Sequence, residues 1–324
     1  MKVLITGGLG FIGSNLVEYL LTKGSIKKII IIDNFSKSSS KYLDIITRYK
    51  LFTSSKNYKN SSNRVQIIKS DINNKDFAFK VTKNIDFVIH LAAESGVDVS
   101  INKPYESFQT NVLGAYNYIE ASRRNNIKRF IFASSGAVFG DTSPPLKETN
   151  PRAPISPYGS SKLTIETFCE TYSNVFGLNT TILRFSNAYG PYSLHKQSII
   201  SKFINNILSK KAIVINGDGS NTRDYIHVSD ICNAIYKSIK DTNGAKIYHV
   251  GTGKETSIKE LIKIFRKECI NHNISIKYSS NRVGDMRRNY TSIAKIKKHL
   301  NWSPKISLQK GFSQTFQWFL SHKK

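Results

Sequence analysis

Acidic residues are scarce in this sequence. Of its 324 residues, 22 are Asp or Glu against 48 Lys or Arg, a formal net charge of +26. Net charge bears on partners and solubility rather than on fold, so the imbalance invites an anionic partner. Yet the basic residues lack clusters as well. No run of Lys or Arg exceeds two residues, as in Lys27-Lys28, Arg123-Arg124 and Arg287-Arg288, and acidic residues are interspersed throughout. That excludes a disordered basic arm and a polybasic membrane anchor. A mild excess between Lys259 and Lys298 belongs to a Lys-rich surface. There is no zinc-ligand pattern, no RNP-like aromatic strand and no basic helix, so no nucleic-acid partner is expected.

Cysteine is rarer still. Cys169, Cys232 and Cys269 are odd in number, far apart and without a CxxC pair, which excludes a disulfide framework and a cysteine metal site. Three small buried hydrophobes in a reduced, cytoplasmic compartment are expected, with no metal. No apolar run is long enough to span a bilayer, so no membrane partner is expected. The uncharged stretch Val3–Val17 is interrupted by four glycines and followed by Glu18, without a small-residue cleavage site; it is not read as a signal peptide. Five of the eight prolines fall between residues 143 and 157, which predicts an extended surface loop over Ser143–Pro157.

What is present is a chain with 40% hydrophobic residues, long enough for one large domain or two coupled ones with a substantial core. Short β-branched runs at Lys2–Thr6, Lys28–Ile32, Val65–Lys69, Ile85–His90, Arg129–Ala133 and Thr180–Arg184 alternate with amphipathic stretches at Ile12–Lys23, Tyr105–Arg124 and Tyr158–Phe176. Strands separated by helices imply βαβ units: an α/β fold with a Rossmann-like, doubly wound parallel sheet. The run Ile29–Ile32 is apolar on both faces, as a central parallel strand requires. Asn34–Asn63 reads as a polar insertion with a helix near Tyr42–Tyr49. After Gly190-Pro191 the alternation loosens. Strands at Ala212–Ile215 and Lys246–Val250 and helices at Ile199–Leu208, Ser229–Ile239 and Ser257–Glu268 suggest a smaller C-terminal α/β substrate-binding lobe. The expected division is residues 1–185 for a cofactor-binding, catalytic domain and 186–324 for the smaller lobe, the chain being free to pass between them more than once.

Two constellations carry chemistry. The first is Gly7-Gly8-Leu9-Gly10-Phe11-Ile12-Gly13, between the first strand and the first helix. Glycines also make ordinary turns, but here a strand precedes, a helix follows, and Asp33 ends the second strand twenty residues beyond Gly13. Gly7, Gly10 and Gly13 let the backbone approach a pyrophosphate that sits, with Phe11 and Ile12, on the positive end of the helix. Asp33, with Asn34 beside it, can accept from the adenosine ribose hydroxyls, and its charge would repel a 2′-phosphate. NAD is therefore the expected cofactor. The second constellation is Tyr158 and Lys162, whose i, i+4 spacing at a helix start puts both on one face. A free phenol titrates near pH 10, and a neighbouring ammonium and nicotinamide cation are expected to lower that value. YxxxK occurs by chance on many helices, but Ser134-Ser135 ends a strand just upstream, where a hydroxyl could hold a substrate oxygen.

With these motifs the sequence resembles the extended short-chain dehydrogenases/reductases, in particular the NAD-dependent nucleotide-sugar epimerases and dehydratases. The resemblance runs over essentially the whole chain, through Asp71-Ile72, His90-Leu91-Ala92-Ala93, Asn111, Ser134-Ser135, Tyr158 with Lys162, Arg184-Phe185-Ser186-Asn187, Tyr189-Gly190-Pro191, Gly217-Asp218-Gly219 with Arg223-Asp224, and Arg282 with Gly284-Asp285. It implies that Asp71 and Ile72 flank the adenine, that Leu91, Ala92 and Ala93 line the dinucleotide, and that Asn111 supports the active site. It also makes Ser135, Tyr158 and Lys162 the catalytic triad. Asn187, Arg223, Arg282, Asp285 and Asn289 become substrate-binding, with the two arginines on the phosphates; forked charge-assisted hydrogen bonds suit that task, although a lone arginine more often makes a surface salt bridge.

The resemblance also sorts the chemistry. The 4,6-dehydratases place Asp-Glu directly after the catalytic hydroxyl, the decarboxylases a Glu and the fucose-synthase type a Cys, whereas this chain has Gly136-Ala137. Elimination, decarboxylation and C3/C5 epimerisation lack their extra acid or base, and reversible oxidation at one carbon remains: a UDP-hexose 4-epimerase. A small residue at Asn289 suggests that UDP-N-acetylglucosamine is accepted beside UDP-glucose, and Tyr192–Gln197 departs from the familiar UDP-galactose epimerases. A homodimer through the helices at Tyr105–Arg124 and Tyr158–Phe176 is implied, although Tyr116, Tyr118, Phe168 and Tyr172 read equally well as core. A 4-ketoreductase with exchangeable cofactor, a non-catalytic NAD sensor and a basic nucleic-acid binder are the competing readings.

Overall fold

The computed structural model describes residues 1–270, 272–280 and 287–322. The chain forms two compact units. The first comprises residues 1–141, 150–184 and 232–248; the second comprises 142–149, 185–231 and 249–324.

The first unit is built on an eight-stranded sheet. Its strands are β1 (Lys2–Thr6), β2 (Lys28–Asp33), β3 (Lys50–Phe52), β4 (Val65–Lys69), β5 (Phe87–His90), β6 (Arg129–Ser135) and β7 (Thr180–Phe185), with Ala245–Val250 at one edge. From that edge the order is Ala245–Val250, β7, β6, β5, β1, β2, β4, β3. β1 pairs in parallel with β2 on one side and with β5 on the other, so Ile5 stands beside both Ile31 and Ile89. The connections leave β1 in opposite directions, which opens a crevice beyond the carboxyl ends of β1 and β5. All-apolar strands suit this place because helices cover both faces: Ile29, Ile30, Ile31 and Ile32 are buried. Helix Phe11–Leu21 packs with Leu16, Val17 and Leu20 inward.

Local chemistry sets the ends of the long helix Pro157–Phe176. Ser156 accepts from the Gly159 amide, Pro157 opens the first turn, and Gly177 closes it at φ +69°. The helix expected over Tyr105–Arg124 is instead three pieces: Pro104–Phe108, a π-turn at Gln109–Gly114, and Ala115–Arg124. A Cβ on Gly114 would stand 2.4 Å from an Ile72 methyl, so this segment lies hard against the 71–72 loop. Within the 34–63 insertion, helix Lys41–Ile46 forms and β3 adds an edge strand beside β4. β3 escapes sequence reading because it has three residues, two of them exposed. Tyr118 and Tyr172 are core, and Tyr116 and Phe168 pack against the same cluster.

The second unit has its own core, in which helices Ile199–Leu208, Ile258–Glu268 and Leu308–His322 contribute Phe203, Phe265, Phe312, Phe316 and Phe319. The rings of Phe265 and Phe312 stack with centroids 4.2 Å apart. Ser257 and Glu260 form a reciprocal cap on the second of these helices. Short strands pair in parallel as Asn187–Tyr189 with Tyr225–His227 and Ile213–Asn216 with Ile276–Ser279, and antiparallel as Thr222–Arg223 with Thr256–Ser257. All three cysteines are free and buried, as expected. Among the described residues no helix is long and apolar enough to cross a membrane, and no cluster of three metal-ligating side chains occurs.

Candidate active site

The glycine loop follows β1 directly. Gly7 takes φ +68°, and a Cβ there would stand 2.7 Å from the Ala92 backbone. A Cβ on Gly13 would meet the Gly7 carbonyl at 2.4 Å, so loop and helix touch main chain to main chain. Helix Phe11–Leu21 starts at Gly10 without a side-chain cap. Its first amides, in the Phe11–Gly13 turn, therefore face a cradle that backbone approach requires and a side chain would fill. These features fit a dinucleotide pyrophosphate.

Asp33 is buried at the end of β2 and does more than wait for a ribose. Its Oδ2 accepts from the Leu9 amide at 3.1 Å, and Oδ1 from the Phe35 amide at 3.0 Å and the Ser38 hydroxyl at 3.1 Å. Burial raises its pKa while these three donors oppose the rise. One carboxylate thus fixes the glycine loop and keeps lone pairs for ribose hydroxyls. Asn34 reaches Asp71 at 3.0 Å, bringing two of the proposed adenosine residues together, and Ile72 is buried beside them. Leu91 and Ala92 follow β5, their amides donating to the carbonyl and hydroxyl of Thr6 at 3.1 and 3.3 Å; Ala93 continues the loop. The Thr6 hydroxyl also meets His90 Nδ1 at 3.0 Å.

Asn111 sits in the π-turn, buried. Its Oδ1 accepts from the Glu94 amide at 2.7 Å while Nδ2 reaches the Glu94 carbonyl at 3.0 Å and the Ser161 hydroxyl at 3.2 Å. One amide side chain therefore ties the loop after β5 to helix Pro157–Phe176. A π-turn supplies the wider spacing this needs, and such turns recur at functional sites.

Ser135, Tyr158 and Lys162 come together. Ser135 ends β6 and is hydrogen-bonded to Tyr158. Its Oγ also accepts from the Ala137 amide at 3.2 Å, capping the short turn Gly136–Phe139. A Cβ on Gly159 would stand 2.4 Å from the Ala137 carbonyl, so that turn packs directly on the helix bearing Tyr158. Lys162 is buried; its Nζ donates to the Ala133 carbonyl at 2.8 Å and lies 5.8 Å from the Tyr158 ring centre. Burial lowers the Lys162 pKa to about 8, against the pull of Glu166. Burial raises the Tyr158 pKa and the Ser135 hydrogen bond only opposes it. Desolvation outweighs that hydrogen bond.

The remaining sequence candidates lie in the second unit. The Asn187 amide donates to the Asp224 carbonyl at 2.9 Å, which places Asn187 beside Arg223-Asp224. Arg223 is half-buried and donates to the Thr222 carbonyl at 2.8 Å. Asn289 is half-buried two residues before Thr291. Arg282 and Asp285 lie outside the described residues.

Three organising residues carry no role in the sequence reading, although Asp224 stands in one of its motifs. Asp224, buried, accepts from the Thr252 amide and hydroxyl at 2.8 and 2.6 Å, the Gly253 amide at 3.1 Å, Ser186 at 3.3 Å and Thr291 at 3.2 Å. Ser100 accepts from the Tyr158 amide at 3.1 Å. Glu166, buried one turn beyond Lys162, holds Ser134 and Arg184. A carboxylate on the buried face of an apolar helix was the available signal for Glu166; Ser100 offered none.

Comparison with known proteins follows from this geometry. The family model described as GDP-mannose 4,6 dehydratase matches residues 4–315. The chain belongs to that family of nucleotide-sugar epimerases and dehydratases. A family member from Methanocaldococcus jannaschii, named putative UDP-glucose 4-epimerase, is 36% identical over 98% of this chain and 97% of its own. The UDP-N-acetylglucosamine 4-epimerase of Methanobrevibacter ruminantium, solved with UDP-N-acetylmuramic acid, superposes with TM-score 0.87 at 31% identity, covering 99% of this chain and 98% of that one. The Thermus thermophilus UDP-glucose 4-epimerase, solved with NAD, gives TM-score 0.86 at 28% identity over 99% and 100% of the two chains. The dTDP-glucose 4,6-dehydratase of Streptomyces niveus is 28% identical over 98% of this chain and 93% of its own. The eight-stranded sheet is the Rossmann-like fold of this family.

Proposed function

We propose that the protein is an NAD-dependent UDP-hexose 4-epimerase, interconverting UDP-glucose and UDP-galactose and accepting UDP-N-acetylglucosamine. The observation that carries this reading is the segment after Ser135. Gly136, Ala137, Val138 and Phe139 form the turn that packs on the tyrosine helix, and none carries an acid or base. Dehydratase relatives make elimination the alternative to weigh, but elimination needs a proton donor and acceptor beside the hydride chemistry. Ser135, Tyr158 and Lys162 provide for one hydroxyl and no more.

Bound NAD would supply a hydride acceptor for C4 of the sugar and a positive ring charge. Gly7, Gly10, Phe11, Ile12 and Gly13 take its pyrophosphate and Asp33 its ribose, with Asn34, Asp71 and Ile72 at the adenosine and Leu91, Ala92, Ala93 and Asn111 along the dinucleotide. Tyr158 removes the proton of the 4-hydroxyl, directly or through Ser135, and returns it after the 4-keto sugar has turned over. Lys162 stabilises the phenolate. Turning requires a loose sugar on a firmly held diphosphate, a task assigned to Arg223, Arg282 and Asn187; Asp285 and Asn289 are the further substrate-binding candidates. A homodimer through the helices around residues 105–124 and 158–176 belongs to the same reading; Tyr105, Phe108, Leu113, Val175 and Phe176 are exposed apolar residues on those segments.

The test is to incubate the purified protein with UDP-glucose and with UDP-N-acetylglucosamine, without added cofactor, and follow the sugar by NMR. The 4-epimers should appear in both cases. Tyr158→Phe should abolish turnover while NAD stays bound. Appearance of a 4-keto-6-deoxy sugar, or a requirement for added NAD(P)H, would overturn the reading.

A further inference from the structure

Behind the catalytic strand lies a buried charge cluster that the proposed chemistry leaves unused. Glu166 is wholly buried on helix Pro157–Phe176, four residues after Lys162. Arg184, on β7 and equally buried, donates Nε and Nη2 to its two oxygens at 2.8 and 2.6 Å. The Ser134 hydroxyl donates to Oε1 at 2.6 Å. The Arg184 guanidinium lies over the Phe139 ring, 4.6 Å from its centre, and Arg152 approaches Glu166 at 3.8 Å.

A buried ion pair is weak support for stability, because desolvating two charges offsets most of their attraction and apolar replacements are often neutral or better. This cluster therefore calls for another explanation, and its contacts supply one. Ser134 precedes Ser135 on β6. Phe139 ends the turn that Ser135 caps. Glu166 shares a helix face with Lys162 at i, i+4. Each link leads to a member of the Ser135–Tyr158–Lys162 group.

We propose that Glu166, clamped by Arg184, is a positioning residue that fixes the end of β6 bearing Ser135 and acts on Lys162 one turn away on the same helix face. The proposal rests on the hydride chemistry assigned above. Lys162 faces Tyr158 and Glu166 on its own helix, the Ala133 carbonyl and Phe132 ring on β6, His90 on β5, and Arg184 on β7 behind Glu166. Burial and the nearby Lys162 charge push His90 down to about 3, so it stays neutral. Glu166 is then the charge that opposes the desolvation of Lys162. The sign follows. The ammonium is present below the Lys162 pKa and lost above it, so turnover falls as pH rises through about 8. Removing the Glu166 charge moves that fall to lower pH.

The test compares wild type with Glu166→Gln and with the paired Glu166→Gln/Arg184→Met, which removes both charges together and keeps the test open if the single variant fails to fold. Melting temperature and bound NAD are measured first. The pH dependence of NADH formation is then followed after mixing with UDP-glucose, UDP-N-acetylglucosamine or dTDP-glucose. Folded, NAD-loaded variants should show the alkaline limb displaced by about one pH unit toward acid, with a rate lower by about threefold between the two midpoints and by up to about tenfold at higher pH. Profiles that superpose on wild type would overturn the proposal, leaving Glu166 a structural residue. Sugar oxidation is common to epimerases and dehydratases, so a wild type that reduces NAD without releasing a 4-epimer refutes the epimerase reading while the displacement still tests Glu166.

Discussion

Gly13→Ala isolates the fit between the glycine loop and the first helix. The new Cβ would lie 2.4 Å from the Gly7 carbonyl oxygen and 2.5 Å from the Gly8 Cα, where ordinary contact begins at 3.4 Å. Both obstacles are main chain, so no rotamer change relieves them, and the loop must lift from the helix by up to 1.0 Å. It is pinned on its far side by the Gly7 amide on the Ile32 carbonyl at 2.8 Å and the Leu9 amide on Asp33 at 3.1 Å. Lifting sacrifices the Leu9 bond to a buried carboxylate. Overpacking of this kind costs ~1–3 kcal/mol, and a lost hydrogen bond to a charged group a comparable amount.

The expected loss is therefore about 3 kcal/mol, or a melting temperature lower by roughly 5–10 °C. NAD affinity should fall at least about tenfold, because the same amides face the pyrophosphate. The assay is thermal unfolding with and without NAD, together with the NAD content of the purified protein. Two controls set the scale. Gly24→Ala meets nothing within 4 Å and should be silent. Gly114→Ala meets Ile72 side-chain atoms at 2.4 Å, which can rotate away, and should cost less than Gly13→Ala. A Gly13→Ala protein that melts and binds NAD like wild type would refute the reasoning.

Asp33→Ser removes the charge that opposes a 2′-phosphate and leaves a hydroxyl near Leu9. The ratio of NADP to NAD affinity, measured by titration of cofactor-free protein, should rise at least about tenfold; an unchanged ratio would show that Asp33 does not discriminate. Asp224→Ala strips the acceptor from two backbone amides and three hydroxyls around a buried carboxylate. It should destabilise the second unit by about 3 kcal/mol or more while the first unit still retains NAD, read by hydrogen exchange and cofactor content. Loss of NAD with unchanged exchange in residues 249–270 would contradict that assignment.

The first unit's half of the candidate residues is legible in the sequence because its determinants are local. Gly7 to Gly13 form one turn between one strand and one helix, Tyr158 and Lys162 are one helical turn apart, and Asp33 ends a strand whose four isoleucines announce a central position. Each follows from backbone geometry that a short window contains. Asn111 is the exception within this half. Its function depends on a π-turn that no periodicity reveals, since the hydrophobic pattern across Tyr105–Arg124 suits an unbroken α-helix.

The Asp224 cluster of the second unit resists the same reading because long-range contacts set it. Asp224 draws together Ser186, Thr252, Gly253 and Thr291, residues more than thirty positions apart for most pairs, and only the fold makes them neighbours. Glu166 is hidden differently. Its helix position is plain, but a carboxylate at i+4 from a lysine reads first as an exposed ion pair of little worth. Burial inverts that meaning. Once Arg184 and Ser134 complete its hydrogen bonds, the charge no longer meets water, and what it acts on is the protonation of Lys162. The same reasoning separates the +26 formal charge from the chemistry. Lysines in water set long-range attraction for an anionic dinucleotide and sugar diphosphate, whereas Lys162, the one buried lysine among the described residues, has a titration lowered by burial and opposed by one carboxylate.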